Sequence, residues 1–276
     1  MSYYRVLGLE REPFSTSPDP EFLFMSRCHK AALFRLQVAL DLRRGMSVLL
    51  GDVGTGKTTL SRKLAKLSDD EGKVELHMML NPFFRTERQF LLRLASLMGV
   101  PHGPRATAYA LMENIERELF RRGVEENRTV ILLLDEAQMV PDFVLEILRI
   151  LLNYETNEFK ILQLILVGQM ELLPRLSRMP NFWDRIALKQ VIRPLDFEEV
   201  RQVVHFRLER AGYRRQEPLF TDAAIERIAG YTGGYPRKVA LLCHNALEYL
   251  VMHDQQQVDR ELVERLLADE IQPVLT

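Results

Sequence analysis

Apolar positions change their spacing near residue 194. Before it, short runs at 46–50, 74–80, 129–134, 161–167 and 190–192 are apolar over most or all of their length. Such runs read as strands buried on both faces. Between them apolar residues recur every three or four positions. The segment 26–44 places Ala32, Leu33, Leu36, Ala39 and Leu40 on one face, with Ser26 as a cap and Gly45 as its end. The segment 86–98 carries Phe90, Leu91, Leu94 and Leu97 as a stripe, and 107–122 and 141–153 follow the same period. Buried strands separated by helices predict an α/β fold, a parallel sheet with helices on both faces. After Pro194 only the helical period remains, over 196–211, 221–231, 237–253 and 259–269, with Thr221 and Asp259 as caps and Pro236 in a first turn. The predicted organisation is therefore an N-terminal arm and helix packed on the core (1–45), an α/β core (46–194) and a small all-helical domain (195–276).

Composition narrows this only a little. The 276 residues carry a formal net charge of -1, so no global basic field points to nucleic acid. The pairs Arg43-Arg44, Arg121-Arg122 and Arg214-Arg215 leave room for local patches. Cys28 and Cys243 form no disulfide framework and, with six scattered histidines, no metal-ligand spacing. Residues 1–25 mix Pro13, Pro18 and Pro20 with Tyr3, Tyr4, Phe14, Phe22 and Phe24, the composition of an ordered extended arm. No leader-like apolar region and no run of membrane-spanning length occurs. The expected location is the cytoplasm, with any membrane association made through a partner.

Candidate chemistry begins at the end of the first predicted strand. Gly51, Asp52, Val53, Gly54, Thr55, Gly56, Lys57, Thr58 and Thr59 form the phosphate-loop pattern G-x-x-x-x-G-K-[ST], between a strand and a helix. The glycines let backbone N–H groups close around phosphate oxygens, Lys57 can reach the β- and γ-phosphates, and the Thr58 hydroxyl can ligate Mg²⁺. The helix N-terminus adds donors and partial positive charge. The strand at 129–134 then ends in Asp135-Glu136. A phosphate loop needs a carboxylate on a neighbouring strand end to hold the metal, which suits Asp135. Glu136 is placed to orient and polarise water for attack on the γ-phosphate. The pair predicts ATP hydrolysis with Mg²⁺, rather than binding alone.

These motifs, with the helical domain behind them, resemble those of AAA+ ATPases. More narrowly, the chain resembles the general-secretion-pathway A family. The resemblance runs through Leu7-Gly-Leu-Glu-Arg-Glu-Pro-Phe14, Ser17-Pro-Asp-Pro20, the phosphate loop, Leu134-Asp-Glu-Ala-Gln138, Leu151-Leu-Asn-Tyr-Glu-Thr156, Leu166-Val-Gly-Gln169, Gly233-Gly-Tyr-Pro-Arg237 and Leu241-Leu-Cys-His244. It implies that 195–276 is the lid of a nucleotide-binding core. It also implies that Gln169 is the sensor at a strand end, although many AAA+ proteins carry Asn, Ser or Thr there. Arg237 is implied as the lid's γ-phosphate sensor. Arg185, in Trp183-Asp-Arg-Ile186, is implied as an arginine finger acting on a neighbouring subunit's nucleotide in a homo-oligomeric ring or filament. Asn81 is implied as a switch that holds Glu136 unproductive until a partner binds. Tyr4, Phe14 and Phe22 are candidates for an adenine pocket, although such aromatics are more often plain core. Secretion members often continue into a transmembrane segment and a peptidoglycan-binding domain. This sequence stops at Thr276, and in that respect looks more like soluble pilus-biogenesis members or ATPases that regulate transposition. The expected function is an ATP-driven switch or motor coupled to assembly of a secretion or pilus system. The alternative is an ATP-dependent regulator of transposition that binds double-stranded DNA.

Overall fold

The structure, a computed structural model, describes residues 2–17, 19–67 and 72–271. Pro18 of the arm and the last five residues of the 195–276 segment lie outside the described residues. In chain order the elements are α1 (Tyr3–Val6), α2 (Arg27–Asp41), β1 (Met46–Gly51), α3 (Lys57–Leu67), β2 (Val74–Met79), α4 (Glu87–Leu97), α5 (Ala108–Phe120), a π-helical turn (Arg121–Glu125), β3 (Thr129–Leu134), α6 (Asp142–Leu151), β4 (Leu162–Gly168), α7 (Leu172–Ser177), α8 (Pro180–Trp183) and β5 (Ile186–Ile192). The helices α9 (Phe197–Arg210), α10 (Asp222–Thr232), α11 (Pro236–Met252) and α12 (Arg260–Ile271) complete the chain. Its contacts divide it into two compact units. One comprises Met1–Arg27, Gly54–Gly56 and Arg193–Thr276, the other Cys28–Val53 and Lys57–Ile192.

The larger unit is the predicted α/β layer. Its five strands are parallel, in the order β2-β3-β4-β1-β5. The inner strands β1 and β4 are buried at every position, which is why they read as unbroken apolar runs. The edge strands β2 and β5 are only partly buried. Of β5 only 190–192 is expected from the sequence, because its first half alternates between covered and exposed positions and offers no apolar run. Thr86 and Thr107 cap α4 and α5 by accepting hydrogen bonds from the N–H groups of Gln89 and Ala110, each at 3.2 Å. The stripes of α4, α5 and α6, among them Phe90, Leu94, Leu111, Ile115, Val144 and Leu148, join the sheet in one core. Each such fully buried side chain contributes roughly 1.5–3 kcal/mol.

The register fixes where chemistry can gather. Leu50 of β1 lies beside Gly168 of β4, and Leu134 of β3 lies beside both Leu166 of β4 and Met79 of β2. The carboxyl ends of β1, β2, β3 and β4 therefore share one sheet edge, where open parallel sheets bind ligands.

The smaller unit packs α9 to α12 around a second core. Asp196 and Glu199 form a reciprocal cap at the start of α9, at 2.8 and 3.2 Å. The N-terminal arm belongs to this unit rather than to the α/β core expected to carry it. Leu9, Phe14 and Phe22 are buried among Val200, Val204 and Leu208, with Phe14 edge-to-face on Phe220 at 5.8 Å. The aromatics find their cover on α9 and neighbouring residues, and Phe14 and Phe22 are core residues there. Only α2, from Cys28 on, groups with the sheet. Among the described residues no helix is long and apolar enough to cross a membrane.

Candidate active site

β1 ends at Gly51 and α3 begins at Lys57, so the intervening loop hangs at the carboxyl edge of the sheet. Gly54 and Gly56 take left-handed backbone angles, φ 81° and 94°, which side-chain-bearing residues adopt only under strain. Lys57 is buried, and its Nζ donates to the carbonyls of Gly51 at 2.7 Å and Asp52 at 2.8 Å. Burial pushes the Lys57 pKa down, while Glu136, Asp135 and Asp52 pull it back.

Across the edge, Asp135 follows β3 and is 2% exposed. Burial raises its pKa, opposed first by a hydrogen bond with the Thr58 side chain and then by one from the Glu136 N–H, at 3.0 Å. The loop threonine and the strand-end aspartate are thus in contact. Both offer hard oxygen donors, and a buried carboxylate whose charge is costly has a use for a cation; this donor pair fits Mg²⁺.

Glu136 sits in the left-handed region at φ 53°, ψ 41°. Its Oε2 accepts a hydrogen bond from Gln138 Nε2 at 2.6 Å. Gln138 Oε1 in turn accepts from the backbone N–H of Gln169, at 3.0 Å. The Arg175 guanidinium donates to the carbonyls of Gln138 at 2.8 Å and Val140 at 2.7 Å, which pins this short turn. Gly168, at the end of β4, leaves room for the amide, since a Cβ there would lie 3.1 Å from Gln138 Oε1.

Of the residues expected from the sequence, Lys57, Thr58, Asp135, Glu136 and Gln169 come together at this edge. Asn81 follows β2 with φ 65° and is exposed. Among the described residues, the side-chain hydrogen bond to the Glu136 carboxylate comes from Gln138. Arg185 is engaged within its own chain, donating to the Asn181 carbonyl and, at 2.7 Å, to Asn153 Oδ1. Arg237 lies in the first turn of α11, in the unit that also holds Gly54–Gly56. Its N–H donates to the Gly54 carbonyl at 3.3 Å, and a Cβ on Gly54 would lie 2.9 Å from its own Cβ. Gln138 was missed as a functional residue by sequence reasoning. It appears only as one letter of the family-like run after Asp135-Glu136, with no period or spacing to single it out.

Residues 41–176 match a family model described as an AAA domain. General secretion pathway protein A of Aeromonas hydrophila is 38% identical over 248 residues, which is 89% of this chain and 44% of that protein. The chain thus spans less than half the length of this curated relative. Several solved structures share the fold. The Aeropyrum pernix ORC2 protein superposes with a TM-score of 0.68 at 18% identity, over 95% of this chain and 72% of that one. The Drosophila ORC bound to DNA gives 0.69 at 19%, over 98% and 66%. The Thermotoga maritima RuvB branch migration motor gives 0.56 at 17%, over 86% and 67%. The phosphate loop, the carboxylate pair on the adjoining sheet edge and these similarities together make the chain a member of the AAA+ ATPases, in the family of the general secretion pathway A proteins.

Proposed function

We propose that the chain is a Mg²⁺-dependent ATPase whose nucleotide state governs its assembly with copies of itself and with a component of a secretion or pilus system. The observation that carries the catalytic part is the phosphate loop with its buried Lys57 on the same sheet edge as the buried Asp135 and the adjacent Glu136. In this reading the loop N–H groups and Lys57 bind the phosphates. Thr58 and Asp135 would hold Mg²⁺, which would supply neutralising charge to the phosphates. Glu136 orients the attacking water and accepts its proton. Gln169 and Arg237 report the γ-phosphate, and Arg185 completes a neighbour's site. The coupling to secretion is taken from the Aeromonas relative's name and the pilus alternative from the family resemblance, and Asn81 is the candidate through which such a partner would act.

Phosphate release and binding of a slowly hydrolysed ATP analogue test the reading. Lys57→Ala should abolish turnover and weaken binding. Glu136→Gln should abolish turnover and spare binding. Unchanged hydrolysis in either variant would sink the site assignment.

A second reading, ATP-gated binding of duplex DNA, draws support from the shared fold of the Drosophila ORC bound to DNA. Its test is affinity for duplex DNA with and without ATP across a salt series. Phosphate contacts would give affinity that falls steeply with salt, and absence of binding at low salt would remove this reading.

A further inference from the structure

Gln138 uses both ends of its side-chain amide. Its Nε2 donates to Glu136 Oε2 at 2.6 Å, and its Oε1 accepts from the Gln169 N–H at 3.0 Å. The network fixes which end is which. Turned over, the amide would set oxygen against carboxylate oxygen and N–H against N–H. Its backbone cannot drift, because Arg175 holds the Gln138 carbonyl at 2.8 Å and ties the next turn through Val140. Glu136 needs such support. Its left-handed backbone is an unfavourable conformation for a residue with a side chain, and a long carboxylate left to its own rotamers has no reason to stay in line with a reacting water.

We propose that Gln138 is a positioning residue for ATP hydrolysis, a single amide that locks the Glu136 carboxylate to the end of β4 at Gln169. The proposal rests on the reading of Glu136 as the water-orienting base, and deepens it. It makes the carboxylate's position depend on the backbone at Gln169. A shift of the β4 end on nucleotide binding or release is then transmitted to the carboxylate through one side chain. The link reaches Glu136 through the main chain of Gln169, so it does not depend on that residue's side chain.

Two variants separate the two ends of the amide. Gln138→Leu removes both hydrogen bonds. Gln138→Glu keeps an acceptor for the Gln169 N–H but replaces the donor to Glu136 with a like charge. Steady-state turnover is measured beside the affinity for a slowly hydrolysed ATP analogue, with Glu136→Gln in parallel. A misplaced catalytic group costs on the order of 10²-fold, so kcat should fall roughly 10- to 100-fold in both variants. Analogue affinity and KM should stay within about threefold of wild type, because neither bond touches the phosphate loop. If Gln138→Glu keeps kcat within about twofold of wild type, the amide serves only to brace Gln169 and the proposal is overturned. Loss of analogue affinity in step with kcat would equally overturn it, as a general structural role. Wild-type turnover by Glu136→Gln would remove the underlying reading and the proposal with it. Loss of turnover there, with both Gln138 variants active, would remove the proposal alone.

Discussion

The Gly233-Gly-Tyr-Pro-Arg237 segment allows a sharp test, because its two glycines do different work. Gly233 closes α10 at φ 60°, and a Cβ there would meet only the Tyr235 ring, at 3.6 Å. Gly234 has φ 73°, and a Cβ there would fall 1.9 Å from the Leu195 carbonyl oxygen and 3.0 and 3.2 Å from that residue's C and N. Gly233→Ala therefore meets backbone strain alone, about 1 kcal/mol. Gly234→Ala meets the same strain, and backbone must also move by more than 1 Å to clear the carbonyl. That movement breaks the bond from the Leu195 N–H to the Gly234 carbonyl, 2.9 Å long, in a segment where both residues are buried. A buried donor and acceptor parted without new partners cost about 1–3 kcal/mol more. The expected penalty is roughly 2–4 kcal/mol for Gly234→Ala against about 1 for its neighbour. Equilibrium urea unfolding followed by far-ultraviolet circular dichroism reads the difference as a shift in midpoint at constant slope. Equal midpoints for the two alanine variants would refute the reasoning, since the clash is all that separates them. The outcome bears on function, because Pro236 opens α11 straight after this turn and Arg237 follows it.

Other expectations follow from separate features. Hydrogen bonding to Arg121, aided by Arg122, brings the Glu118 pKa from an ordinary 4.5 down to about 2. A depressed carboxylate contributes stability above its unfolded pKa and loses it as pH falls through the folded one, so acid should erode this contribution from about pH 4.5 down to 2, and Glu118→Gln should flatten the stability curve in that window. Phe14 is buried against Phe220, and Phe14→Ala should destabilise the helical unit by roughly 3–5 kcal/mol in the same urea assay. If Arg185 acts across subunits, mixing inactive Lys57→Ala and Arg185→Ala proteins should restore turnover at the interfaces that pair an intact loop with an intact arginine. A mixture no more active than its components would assign Arg185 to its own chain's Asn181 and Asn153.

The legible parts of the fold were those whose cause is local. Inner strands announce themselves because both faces must be apolar, and caps such as Thr221 and Asp259 mark helix starts by their own chemistry. What the sequence hid has non-local causes. That β1 lies between β4 and β5 is a matter of crossover, which no window of residues contains. The helix expected to reach Arg122 ends at Phe120 and passes into a π-helical turn, where Gly123 packs so closely on Ile161 that a Cβ would sit 2.5 Å from its Cγ2. The short helices α7 and α8 are a few residues each, too brief for a 3.6-residue period to show. The aromatics of the arm signalled order without naming the surface that covers them.

The site divides along the same line, and the division explains why Gln138 matters. A phosphate loop must be written as contiguous text, because its N–H groups, glycines and lysine act on one group of atoms from one turn of chain. Asp135 and Glu136 are legible for a related reason: a strand end delivers adjacent residues to the same edge. Holding a carboxylate still is a different demand. Any donor within reach can meet it, from whatever element the fold brings near, and so it leaves no fixed spacing behind. Here the donor stands two residues after Glu136, and the other end of its amide finds its partner 31 positions away, at a strand end that only the parallel register places beside it. The resemblance pointed to Asn81 for control of this carboxylate, from the end of β2. The hydrogen bonds run instead toward β4. On this geometry, a partner that acts on Glu136 has two routes, through the exposed Asn81 end or through the β4 end, and only the second is already wired to the carboxylate.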